Sequence, residues 1–103
     1  MKGAKGKILA SRLTKFQKSV LLETLNIPKG KTISYGELAR RIGKPRSARA
    51  VGNALGKNPF APTVPCHRVV AGDGVGGYSG KGGIEGKKRI LRREKAKFFD
   101  RKV

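Results

Sequence analysis

The stretch Ser34–Gly56, SYGELARRIGKPRSARAVGNALG, decides the architecture. Ser34 is a good N-cap residue, and Glu37 three positions on makes the capping-box pattern. Leu38, Ala39 and Ile42 then share one face of a short helix that stops at Gly43, and Lys44-Pro45 breaks the chain. A second short helix runs from about Ser47 to Leu55, with Ala48, Val51, Ala54 and Leu55 as packing positions and Gly56 past its end. Two short helices joined by a tight turn read as a helix-turn-helix, although an ordinary helical hairpin has the same pattern. The second helix carries small side chains at Ala48, Ala50, Gly52, Asn53 and Ala54, with Arg49 the long one near its start. Such a helix either packs tightly on a neighbour or brings its backbone close to a groove, and composition leaves both readings open.

Working outward, Thr14 to about Asn26 reads as a helix upstream. Thr14 and Gln17 make a capping box, Phe16, Val20, Leu21 and Leu25 form an apolar stripe, and Pro28 and Gly30 end it. Residues 1–11 are basic and glycine-rich and read as frayed chain or a short strand. Downstream, Lys57 to Pro65 holds three prolines and cannot be helix, and Asn58 before Pro59 is a natural turn residue. Val69-Val70-Ala71 reads as a short strand. Residues 72–83 hold seven glycines around Tyr78 and Ser79 and lack the Gly-Lys-[Ser/Thr] ending of a phosphate loop. They form either a tether or a loop that closes over a flat ligand.

The last helix is expected from Ile84 to about Phe99. Ile84, Ile90, Leu91 and Phe98 are its apolar residues, and Lys87, Lys88, Arg89, Arg92, Arg93, Lys95 and Lys97 its solvated basic face. Glu94, alone among cations, reads as half of a surface ion pair. The fold class is thus mainly α with little β: one domain over residues 1–103 with a winged-helix-like helix-turn-helix at 34–56.

A length of 103 residues supports one modest core. Lys plus Arg is 25 against 6 Asp plus Glu, a net charge of +19. That excess repels itself in a compact state and calls for a polyanion, with nucleic acid the first choice and an anionic membrane surface the competitor. There is no apolar run long enough to span a bilayer and no signal peptide, so an intracellular, cytoplasmic protein is expected. One cysteine forms no internal disulfide, which agrees with a reducing compartment, and no Cys/His cluster has zinc spacing.

The chemistry-bearing segment is residues 64–70, where Pro65-Cys66-His67-Arg68-Val69-Val70 holds the only cysteine and the only histidine. A thiolate is nucleophilic, and a base or a cation nearby activates it. A lone cysteine is also often a small buried hydrophobe. Consecutive side chains on a helix do not face each other, so a Cys66–His67 hand-over needs a water or a tight turn.

The hexapeptide resembles the active-site motif of the O6-alkylguanine-DNA alkyltransferases. The likeness extends from about Thr14 to about Glu94. Ile33–Ala39 looks like the first helix of that family's DNA-binding pair, Arg49–Ala54 its recognition helix, Asn58-Pro59 its asparagine hinge, Tyr78-Ser79-Gly80 its substrate loop, and Gly82-Gly83-Ile84 the opening of its last helix, with Glu94 at its glutamate. The resemblance implies a suicide repair protein. It flips O6-alkylguanine from duplex DNA through the minor groove, without sequence preference, and moves the alkyl group irreversibly to Cys66.

It implies that His67 takes the thiol proton through a water, that Glu94 orients His67 and that Asn58 holds the turn. Tyr35 would crowd the phosphate beside the lesion and assist departure of the guanine. Arg49 would fill the gap in the base stack, with Ala48 and Asn53 also on the DNA. The backbones of Cys66, Val69 and Ser79 would meet the base edge and Tyr78 would line the pocket. No cofactor or metal is implied, and a monomer is expected.

The family usually carries a further N-terminal domain, whereas this chain begins almost at the core. Tyr78 to Glu94 also runs two residues longer than the family pattern near Lys81-Gly82. The alternative is an alkyltransferase-like protein, which binds alkylguanine without accepting the group and recruits other repair factors. Those proteins have tryptophan where this chain has Cys66. A plain helix-turn-helix DNA binder with a structural cysteine is the third reading.

Overall fold

Helix α2 (Lys15–Thr24) starts where its cap residue dictates. Thr14 Oγ1 accepts from the Gln17 amide at 3.1 Å and Gln17 Oε1 accepts from the Thr14 amide at 3.0 Å, a closed capping box worth about 1 kcal/mol. Val20 and Leu21 bury its inner face, and Thr24 is buried there too because its hydroxyl donates to the Val20 carbonyl at 2.6 Å. The computed structural model describes residues 3–60, 63–71, 76 and 83–96. Among these the order is α1 (Ala4–Ala10), α2, β1 (Ile33–Ser34), α3 (Tyr35–Arg41), α4 (Ala48–Gly56), a 3-10 turn at Cys66–Arg68, β2 (Val69–Val70) and α5 (Gly83–Arg93). No helix of the described residues is long and apolar enough to cross a membrane.

The N-terminal expectation is corrected. Residues 4–10 form a helix rather than frayed chain or a strand, because Ile8 is wholly buried against the core. No side chain caps α1, so tertiary burial rather than local sequence holds it.

Helices α3 and α4 make the expected pair and both pack on α2. The Ser34 hydroxyl accepts from the Glu37 amide at 3.0 Å, while the Glu37 carboxylate turns to Arg40 and Arg41. After α3 the amide of Gly43 reaches the Arg40 carbonyl and that of Lys44 the Ala39 carbonyl, a Schellman closure in which Gly43 takes φ +77°. On α4, Val51, Ala54 and Leu55 are buried, Ala48 is half-buried, and Arg49, Ala50 and Asn53 are exposed.

One correction concerns the end of α5. The helix ends at Arg93, not near Phe99; Phe98 and Lys97 lie outside the described residues. The end is again a Schellman closure, Lys95 N to Arg92 O and Ala96 N to Leu91 O, with Lys95 rather than glycine at φ 59°. Its apolar contact is Ala96 on Leu91. Ile84, one of the apolar residues of this helix, is 49% exposed. Strands β1 and β2 pair in parallel, Ile33 opposite Val69 and Ser34 opposite Val70. That short ladder sets the start of α3, and so Tyr35, beside the segment that carries Cys66.

Candidate active site

Cys66 opens the 3-10 turn with 5% of its surface exposed and belongs to the main core cluster together with Val64 and Val69. The proline-rich approach is closed by Asn58. Its Oδ1 accepts from the Phe60 amide at 2.8 Å, and its Nδ2 donates to the Val64 carbonyl at 3.1 Å. One buried amide therefore pins the loop two residues before the cysteine. The same side chain favours the thiolate form of Cys66.

Burial pushes the Cys66 pKa up, because an anion there loses hydration. The Asn58 hydrogen bond and the Lys87 charge oppose this and do not overcome it. The resting group is a neutral thiol, so its chemistry needs a base.

His67, the next residue, is the candidate. His67 is 2% exposed, and its Nε2 lies 3.1 Å from Glu94 Oε2. Arg68 holds the Glu94 pKa below the usual carboxylate range, with further help from His67. An ionised carboxylate only accepts, so Nε2 carries the imidazole proton and Nδ1 keeps the lone pair. Burial lowers the His67 pKa, with Glu94 pulling it up and Arg68 and Lys87 adding to the depression. At neutral pH the ring is neutral and can take a proton. Residues on a 3-10 turn advance by about a third of a circle, so Cys66 and His67 diverge and an intervening water suits a transfer between them.

Lys87 is the residue that sequence reasoning missed. Placed by composition on the solvated face of α5, it is fully buried instead. Its Nζ donates to the Val69 carbonyl at 2.7 Å and stands 5.8 Å from the centre of the Tyr35 ring. Burial lowers its pKa to about 8. A signal existed: Lys87, Leu91 and Glu94 recur at helical spacing, so the lysine lies one turn before a buried leucine and on the face that carries the glutamate.

Tyr35 stands at the first position of α3. A Cβ at Gly52 would meet its Cδ1 and Cε1 at 3.9 Å, and a Cβ at Gly76 would overlap its hydroxyl and Cε2. Of the small residues of α4, Ala54 is buried and Gly52 half-buried against Tyr35, while Ala50 and Asn53 are exposed; Ala50, Asn53 and Ala54 line a shallow cleft with Thr14, Gln17 and Lys57. Arg49 and Ala48 stand on the first turn of α4, apart from the Asn58–Cys66–His67–Glu94 cluster. Tyr78 and Ser79 lie outside the described residues.

Residues 15–96 match the family model described as "6-O-methylguanine DNA methyltransferase, DNA binding domain". The chain belongs to this family. It is similar to the methylated-DNA–protein-cysteine methyltransferase of Mycobacterium tuberculosis, 51% identical over 87 residues, which cover 84% of this chain and 52% of that protein. The crystal structure of Mycobacterium tuberculosis OGT in complex with DNA superposes with a TM-score of 0.77 at 52% identity, over 82% of this chain and 52% of that one. The structure of Schizosaccharomyces pombe ATL in complex with DNA gives 0.72 at 31% identity, over 90% of this chain and 87% of that one. The chain spans about half the length of the curated relatives it matches. The matched family is described as a DNA-binding domain, a description with which the helix pair and the net charge of +19 agree.

Proposed function

We propose that this protein accepts the alkyl group of O6-alkylguanine from duplex DNA onto Cys66 in one irreversible turnover. The carrying observation is the contiguous set of a buried Cys66 thiol, a neutral His67 and an ionised Glu94 held 3.1 Å from it. The M. tuberculosis relative is named for methyl transfer from DNA to a protein cysteine, which supports the same chemistry.

In this reading the flipped base presents its alkyl carbon to Cys66 Sγ. The thiol proton passes through a water to His67 Nδ1, and Glu94 stabilises the imidazolium that results. Sulfur forms a bond to the alkyl carbon, the bond from that carbon to guanine O6 breaks, and guanine leaves as the anion. The Tyr35 hydroxyl assists that departure. Lys87 supplies positive charge to the same space, favouring thiolate and guanine anion alike. A carbon inside a stacked duplex cannot be attacked in line by a protein thiol, and extruding the nucleotide costs a few kcal/mol. Arg49 in the vacated stack and the backbone contacts of α4 through the minor groove offset this cost, with Ala48 and Asn53 alongside. The Val69 carbonyl already accepts from Lys87; its second lone pair remains for the base edge. Tyr78 and Ser79 complete the pocket in this reading. In this reading the protein acts inside the cell, where the thiol stays reduced, and works on duplex DNA as a monomer without a cofactor.

A second reading is a lesion binder that accepts nothing and recruits repair factors. It is favoured by the likeness to the S. pombe ATL in complex with DNA, 31% identical with a TM-score of 0.72 over 90% of this chain. Cys66→Ala separates the readings. Under transfer, the variant binds an O6-methylguanine duplex as the unaltered protein does and leaves the lesion in place. Loss of binding, or unchanged lesion removal, contradicts the role given to Cys66.

A further inference from the structure

Arg68 has no part in the reading above, yet its guanidinium donates three hydrogen bonds at the site. Its Nε donates to Glu94 Oε1 at 3.0 Å and its Nη2 to Glu94 Oε2 at 2.8 Å, a two-pronged grip on the carboxylate. Its Nη1 donates to the Ile27 carbonyl at 2.9 Å, which anchors the fork to the exit of α2. Glu94 Oε2 is the oxygen that also meets His67. One carboxylate oxygen therefore serves both a permanent cation, Arg68, and the imidazole that takes up a proton.

Glu94 sits at the C-terminal cap of α5, where the aligned peptide dipoles disfavour an anion. A compensating positive charge is needed there, and Arg68 provides it. With both oxygens engaged the carboxylate cannot rotate, and only part of its field falls on the imidazole.

We infer that Arg68 is a positioning residue that tunes His67: by gripping both oxygens of Glu94 it fixes which ring nitrogen holds the proton and keeps the ring from being over-stabilised as imidazolium. The inference rests on the alkyl-transfer reading, in which His67 is the base. The charged groups acting on the ring are Glu94 from the end of α5, Lys87 from the second turn of α5 and Arg68 on its own turn. Among the described residues, α2, which also packs on the 3-10 turn, contributes no ionisable group that acts on it.

The sign follows. Removing the guanidinium takes away a repelling charge and returns the whole carboxylate to His67. The protonated ring gains on both counts, so less neutral base is present at a given pH.

The chain has one histidine, so its imidazole C2 proton gives a single NMR signal that can be followed through a pH titration without DNA or alkyl transfer. In Arg68→Met the His67 midpoint is expected to rise by roughly one pH unit, the size of one lost neighbouring charge. The acid limb of the transfer rate should move up by the same amount. Should Arg68→Met fail to fold, Arg68→Lys decides, since it keeps one charge but loses the second prong; its midpoint should also rise, by less. A midpoint that stays or falls in a folded variant overturns the inference. The titration stands apart from activity: transfer with an unmoved midpoint removes only the role of Arg68, and a raised midpoint without transfer removes only the proposed function.

Discussion

Lys87 Nζ donates to the Val69 carbonyl at 2.7 Å from a position with no solvent exposure. A buried ammonium tied to the strand that follows the nucleophile, and facing the Tyr35 ring at 5.8 Å, is costly unless it does something. Replacing it with methionine, which keeps the volume and removes the charge, should slow transfer at pH 7 by roughly tenfold, the worth of about one pKa unit on the thiol. Single-turnover rates on an O6-methylguanine duplex measure this. An unchanged rate would return Lys87 to a packing role.

The same lysine leaves a mark on stability. Its folded pKa of about 8 lies below the ordinary 10.5, so the folded state sheds the proton first. Between these two values the unfolded chain binds more protons, and the contribution of Lys87 to stability rises with pH. Below pH 8 the full cost of burying the charge is present, on the order of 3 kcal/mol. The stability difference between the unaltered protein and Lys87→Met, followed by denaturant melts from pH 7 to 10, should move in favour of the unaltered protein as pH rises. A pH-independent difference would contradict burial of the charged form.

Glu94 is expected to behave in the opposite sense. Arg68 and His67 depress its pKa, so its stabilisation is complete above the ordinary value of 4.5 and is lost as pH falls through the folded value. Glu94→Gln should remove that component of acid unfolding, and by stripping the base of its partner it should slow transfer about 100-fold. Acid titrations of both proteins, followed by circular dichroism, read the first effect. Matching acid midpoints would show that the clamp contributes nothing.

Gly52 and Gly76 both face Tyr35, with different room to spare. Gly52→Ala adds a methyl in ordinary contact at 3.9 Å and replaces a helical glycine, so it should stabilise by about 0.5–1 kcal/mol. Gly76→Ala drives a methyl into the Tyr35 hydroxyl at φ +74° and should lose about 1–3 kcal/mol along with most transfer activity. Thermal melts of the pair, read together, test whether Tyr35 is held between them.

The net charge of +19 predicts binding to duplex DNA that weakens at least about 100-fold between roughly 50 and 200 mM salt. Arg49→Ala should lower the preference for lesion over normal duplex while leaving that salt slope nearly unchanged. Fluorescence anisotropy at several salt concentrations measures both, and a flat response would remove the polyanion argument.

Much of the frame was legible because its signals are local. Thr14 with Gln17 sets the start of α2, Ser34 that of α3, and Gly43 the turn between α3 and α4, each through bonds spanning a few residues. What was not legible depends on distant contacts. Ala4–Ala10 is helical because Ile8 reaches the core, though Gly3 and Gly6 argue locally against it. Lys87 is buried because a carbonyl eighteen residues earlier accepts its hydrogen bond. Helix α5 stops at Arg93 on a left-handed Lys95, where glycine would have announced the end. Glu94 read by itself was a surface ion pair; the fold turns it inward between His67 and Arg68.

The most direct test of the central claim is the intact mass of the protein after mixing with a short duplex that carries one O6-methylguanine. Transfer predicts a gain of about 14 Da, one methyl in place of one hydrogen, in a one-to-one stoichiometry and confined to the peptide that contains Cys66. No gain from folded protein with a reduced thiol, or a gain on any other peptide, would contradict it.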